Sequence, residues 1–296
     1  MNTALVLCSA IAAYFFPFEL LLASFAFLGP AHYLTEISWL ETKRYYFNNR
    51  KAIYALAFLG LISLWIPELE RLYFCSGIAL AASNLISTKR VTQILSFILG
   101  TSLLYFFTSP KFLMITFLIG VFLPTVIHIY FFTGLFMLQG YLKSRSKDVL
   151  MALGIMGLSG ILLLISKNEV SSFLPNWTSH NLNKFTDLAQ TYLWAAGLNQ
   201  NQNNINSILR FLAFAYTFHY LNWFSKTGLT GWHKVSKNRS IAMMLLYVSC
   251  IGLYIYDYQK GFKALYYLSL LHVQLELPLN FLTIRNLIFF KKVSSY

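Results

Sequence analysis

The sequence predicts an all-α fold, a polytopic bundle of helices held in a membrane, and three observations predict it. Of its 296 residues 57% are hydrophobic and 11% are charged, where soluble domains carry about 25% charged residues. The apolar residues come in runs of roughly 17 to 25, the length needed to cross a hydrocarbon core of about 30 Å as helices. The 23 Lys and Arg residues, source of a net charge of +13, collect in alternate breaks between those runs. That alternation is a topology signal and argues against a nucleic-acid surface.

Taken in chain order, the spans fall near 18–40, 52–66, 71–88, 92–108, 112–138, 149–166, 205–225, 240–256 and 263–285, about nine transmembrane helices, with about eight to ten as the range. Lys43, Arg44, Arg50 and Lys51 separate the first two, and Pro67–Arg71 the next. Lys89 and Arg90 precede the fourth, and Ser109–Lys111 the fifth. Lys143, Arg145 and Lys147 precede the sixth, the long stretch 167–204 the seventh, Lys226, Lys234, Lys237 and Arg239 the eighth, and Asp257–Lys263 the ninth. A segment at 3–16 is apolar but under length and ends at Pro17. It also lacks the basic region that would open a cleavable signal peptide.

The basic breaks define the cytoplasmic side, with Arg285, Lys291 and Lys292 placing the C-terminus there. The expected setting is a bacterial inner membrane, and the basic loops favour an anionic lipid surface. The chain reads as a single transmembrane domain over 1–296. Within it, 167–204 forms an outer loop whose Phe185, Leu188, Tyr192 and Leu193 recur at the spacing of an interfacial helix. Asn176-Trp177-Thr178 matches a short glycosylation pattern. Cys8, Cys75 and Cys250 lie in apolar segments without ligand spacing and read as small buried residues.

The candidate chemistry sits where hydrocarbon should be. Four of the six histidines, His32, His128, His219 and His272, fall inside the expected spans. At a rise of about 1.5 Å per residue, the first three share a depth within about 3 Å and His272 within about 11 Å. Glu36 follows His32 by four residues and Glu276 follows His272 by four, so each pair shares one helix face. Ionisable groups at this depth cost roughly 2.5 to 3.5 kcal/mol each and face the bundle interior. Four imidazoles with two carboxylates suit one or two metal ions. Imidazole admits zinc or copper, and carboxylate oxygen tilts the choice to iron with open positions.

Each histidine alone is also a plausible hydrogen-bonded core residue, and a His–Glu pair is also a proton relay. Asn222, three residues after His219, and Asn280, four after Glu276, are placed to orient such a cofactor site. Tyr33, Tyr130 and Tyr220 adjoin histidines in sequence and read as lining residues, and Gln274 falls off the His272 face. His233 reads as a surface or lipid-facing residue and Glu19 as a solvated edge. Pro30, Pro124 and Pro278 bend the helices beside three of the histidines. Phe131, Phe132, Phe214, Phe218, Trp223, Phe224, Tyr266 and Tyr267 would line an apolar pocket.

The stretch GPAHYLTEI, through Pro30, His32 and Glu36, resembles the bacterial membrane β-carotene dioxygenases of the Brp/Blh type. Here Ala31 separates the proline from the histidine and Tyr33 follows it. The resemblance implies an iron held by four histidines, with His128, His219 and His272 completing the set, and cleavage of a carotenoid with O2.

The expected function is therefore an integral-membrane, metal-dependent oxidative enzyme with Glu36 and Glu276 as ligands or catalytic acceptors, acting on a lipid-soluble small molecule among membrane lipids. The sequence does not name its electron donor. A transporter or channel for a cation or protons uses the same residues, and a haem carrier with paired axial histidines is a third reading.

Overall fold

The computed structural model describes residues 2–43, 50–86, 89–170 and 176–289. Arg44, Lys291, Lys292 and the side chains of 176–182, which include the glycosylation pattern and His180, lie outside the described residues. Every described regular element is a helix, and no strand occurs among the described residues. In chain order they are α1 (Asn2–Phe15), α2 (Pro17–Lys43), α3 (Arg50–Ser63), α4 (Glu68–Ile86), α5 (Arg90–Phe107), α6 (Leu113–Ser144) and α7 (Lys147–Ile165). Then follow α8 (Asn176–Ala195), α9 (Gln202–Ser225), α10 (Lys237–Tyr256) and α11 (Tyr258–Ile288).

Local chemistry sets several of these boundaries. Pro17 stands in the first turn of α2, where a missing N–H goes unmissed. Asn201 accepts the Asn204 N–H at 2.9 Å and so caps α9. Arg145 ends α6 in the left-handed region at φ 55°, and Gly197 follows α8 at φ 67°, where the absent Cβ removes the strain.

Five helices, α2, α5, α6, α7 and α10, are long and apolar enough to cross a bilayer by length and composition. They coincide with the expected spans at 18–40, 92–108, 112–138, 149–166 and 240–256, and they suggest a membrane protein. The other four expected spans form helices that fall short for a physical reason. α3 has 14 residues. α4 carries Glu68, Glu70 and Arg71 in its first turn, and α9 and α11 carry polar side chains that the fold buries, among them Arg210 and His219, and His272 and Glu276. Helices that bury polar groups inside a bundle need less apolarity than helices wrapped in lipid.

The chain divides into two compact units. The first comprises Met1–His32, Ile129–Thr230 and Lys237–Phe262, with α9 as its centre. Sixteen of the 24 residues of α9 are buried, and α1, α2, α7 and α8 pack against it. Ser24 and Thr217 hydrogen-bond at 3.0 Å between α2 and α9. Tyr130 Oη donates to the Met156 carbonyl at 3.0 Å, joining α6 to α7. Gly160 makes room for that phenol, because a Cβ there would stand 2.3 Å from Tyr130 Oη.

Among the described side chains of α8 the buried ones are Phe185, Ala189, Tyr192 and Leu193, one face of a helix. Arg210, only 2% exposed, donates from Nε to the Tyr14 carbonyl at 3.0 Å. Its Nη1 reaches the Asn168 carbonyl and its Nη2 the Glu169 carbonyl, each at 2.9 Å.

The second unit comprises Tyr33–His128, Gly231–Ser236 and Lys263–Tyr296. Here α4 packs against α3 and α5. One apolar cluster gathers Leu40, Ala81, Leu275 and Leu277, and another Leu56, Tyr73, Phe74 and Leu270. Tyr267 Oη donates to the Ala57 carbonyl at 2.8 Å and Tyr266 Oη to Glu70 at 2.7 Å. Tyr266 and Phe131 are exposed, so neither lines an interior pocket as the sequence suggested. Cys75 is buried, but Cys8 is exposed, and His233 is exposed too.

Candidate metal centre

Two helices reach their histidines through π-helical turns, which hold one extra residue per hydrogen-bonded turn and recur at functional sites. In α2 the π stretch is Ser24–Leu28, and it returns to α-winding at Gly29, three residues before His32. In α6 it is Leu118–Phe132, which contains Pro124 and His128, and α-winding resumes at Thr133. Proline lacks the N–H that an α-turn would use, so Pro124 sits where the winding is already altered.

The first unit brings together His32 of α2 and His219 of α9. Their Nε2 atoms are 3.1 Å apart, and both rings are buried. Tyr220 and Trp223 flank His32 at ring-centroid distances of 5.0 and 5.6 Å. Thr133 Oγ1 lies 2.8 Å from His219 Nδ1. Asn222 is buried on α9 with its Oδ1 lacking a hydrogen-bond partner among the described residues.

The second unit brings together His128 of α6 and His272 of α11, again with 3.1 Å between Nε2 atoms. Glu276 Oε2 lies 2.9 Å from His128 Nδ1, so its ion-pair partner is the imidazole of another helix, where helical spacing pointed to His272. Tyr33 stacks on His272 with 4.3 Å between centroids and 25° between planes. Glu36 and Glu276 are each 3% exposed and within electrostatic reach of each other. Two carboxylates so placed in a low dielectric call for a positive partner, a proton or a cation. Asn280 is fully buried, and neither polar atom of its side chain has a hydrogen-bond partner among the described residues. Gln274 turns away from the His272 face, onto Gly77 of α4.

No family model, curated protein or solved structure matches the chain. The chemistry of the site therefore rests on its own geometry.

Each of the four histidines offers one ring nitrogen, and these atoms lie within 4.8 Å of one another. All four residues are buried, and a group this close could bind a metal ion. The paired separations fit such a role. Metal–imidazole bonds of about 2.1 Å whose nitrogens stand 3.1 Å apart enclose an angle of about 95°, open enough for two ligands of one ion. Histidine nitrogens with a carboxylate behind one of them form the donor set of zinc, copper and iron sites.

Sequence reasoning did not single out Thr133. Its position one residue beyond a π stretch is invisible to a rule based on 3.6 residues per turn. Nor did it find Arg210, whose partners are all carbonyls or a hydroxyl from distant parts of the chain.

Proposed function

We propose that this chain is an integral-membrane, non-haem iron enzyme that oxidises a lipid-soluble molecule with O2, of the kind its resemblance to the Brp/Blh-type carotenoid dioxygenases suggests. The observation that supports the reading is the group of four buried histidines with nitrogens within 4.8 Å. Four neutral imidazoles leave an iron ion its charge and room for further ligands, and iron so bound supplies the redox chemistry that O2 needs.

The protein's own residues do the rest. Glu276 Oε2, 2.9 Å from His128 Nδ1, would accept the Nδ1 proton and leave Nε2 as a lone pair. Tyr33 fixes the plane of His272 by stacking. Tyr220 and Trp223 beside His32 give an apolar aromatic wall against which a hydrocarbon chain would lie. Glu36, Asn222 and Asn280 supply buried polar atoms for orienting ligand or substrate. In this reading the bundle has nine spans, its C-terminus is cytoplasmic and its home is a bacterial inner membrane, with electrons beyond those of the substrate coming from a separate donor.

The test is metal content by mass spectrometry on detergent-purified protein beside His32→Ala and His272→Ala. Near-stoichiometric iron in the parent and little in either variant is the expected result. Folded protein without metal in all three would overturn the reading and direct attention to cation or proton flux.

A further inference from the structure

Resting on that metal reading, we infer that Thr133 is a positioning residue that locks His219 in its Nδ1–H tautomer and presents the Nε2 lone pair to the histidine group. Thr133 is 3% exposed, and its hydroxyl oxygen has two near neighbours. The Ile129 carbonyl oxygen is 2.9 Å away, and His219 Nδ1 is 2.8 Å away. A threonine hydroxyl has one hydrogen to give. A carbonyl oxygen only accepts, so a 2.9 Å approach is favourable when the hydroxyl hydrogen lies on it. The oxygen then faces His219 as an acceptor, and the ring atom it meets must be an N–H. A neutral imidazole carries one N–H, so Nδ1–H leaves Nε2 bare.

The alternative is worse at the Ile129 contact, which decides between the two. If Thr133 donated to Nδ1, its oxygen would face the Ile129 carbonyl across 2.9 Å with no hydrogen between two acceptors, in a site closed to water. The bare Nε2 that follows is the atom 3.1 Å from His32 Nε2. The device is built into the backbone, because Thr133 opens the α-helical stretch after the π turns and bonds back across one turn. It also differs from the other pair, where the Glu276 carboxyl group stands 2.9 Å from His128 Nδ1. One histidine faces a hydroxyl and the other a carboxyl group, so the two can be tested apart.

The experiment combines two readouts on the full chain in detergent. Selective ¹⁵N-histidine NMR on metal-stripped protein, assigned with His219→Gln, reports which ring nitrogen carries the proton. Iron affinity by chelator competition then compares the parent with Thr133→Val and Thr133→Ser. The expected result is Nδ1–H on His219 in the parent, a loss of about 10- to 100-fold in iron affinity in Thr133→Val, and recovery in Thr133→Ser, which keeps the hydroxyl. An Nε2–H signal from His219 in the parent overturns the inference, as does undiminished iron affinity in Thr133→Val. Absence of iron from the parent would sink the metal reading while the NMR still decides the tautomer. The NMR on the parent alone also decides it if Thr133→Val does not fold.

Discussion

Glu276 Oε2 lies 2.9 Å from His128 Nδ1, with both side chains almost completely buried. A carboxylate behind an imidazole fixes its tautomer and raises the basicity of the opposite nitrogen. Glu276→Gln keeps the shape and a carbonyl acceptor but loses the charge. We expect iron affinity to fall by about 10-fold in Glu276→Gln and by about 100-fold in Glu276→Leu, read by chelator competition. Equal affinity in both variants and the parent would show that the ion pair does not serve a metal.

That ion pair also shows how far the sequence could be read. The four histidines and two carboxylates were legible because ionisable groups in apolar runs need a reason. The partner of Glu276 was not legible. The rule of four residues links side chains on one helix, and it gave His272, whereas a contact between α6 and α11 depends on how two helices pack. Thr133 was hidden for a related cause, since π winding in α6 shifts every later residue around the axis. Of the nine spans expected from the sequence, five coincide with helices long and apolar enough to cross a membrane. α9 and α11 bury Arg210, His219, His272 and Glu276, and those same residues lower the apolarity by which a span is recognised.

Arg210 donates to the carbonyls of Tyr14, Asn168 and Glu169 at 3.0, 2.9 and 2.9 Å and lies over the Tyr14 ring at 4.8 Å. It thus gathers the end of α1 and the segment after α7 onto α9. A lysine has no planar fork and reaches one of these directions at a time. Arg210→Lys should therefore destabilise the protein by about 1–3 kcal/mol, the range for a buried acceptor left unpaired. Thermal unfolding in detergent measures it, and an unchanged midpoint would mean that the carbonyls find water instead.

Gly77 of α4 faces Gln274 of α11 so closely that a Cβ would stand 1.8 Å from Gln274 Oε1 and 2.5 Å from its Cδ. Gln274 is 1% exposed, so the amide has little space into which to retreat. Gly77→Ala should cost about 1–3 kcal/mol through overpacking. The same change made in a Gln274→Ala background should cost much less, because the obstructing amide is gone. Strictly additive effects in that double-mutant cycle would place the strain elsewhere.

Asp257 sits in the break between α10 and α11, and its Oδ1 accepts the backbone N–H of Lys260 at 3.1 Å and of Gln259 at 2.9 Å. These bonds, the one from Lys260 foremost, hold its carboxyl below the usual carboxylate range. The folded value is therefore lower than the unfolded value of about 3.9. The sign follows from linkage: stabilisation is fully present above the unfolded value and is lost as pH falls through the folded one. Asp257→Ala should lower the unfolding midpoint at pH 7, and the gap to the parent should close as the pH is taken below about 3.9. Asp257→Asn, a good cap without a charge, should keep most of the midpoint at pH 7 and show no such closing. A gap between Asp257→Ala and the parent that stays constant from neutral pH into acid would show that the ionised carboxylate does not cap α11.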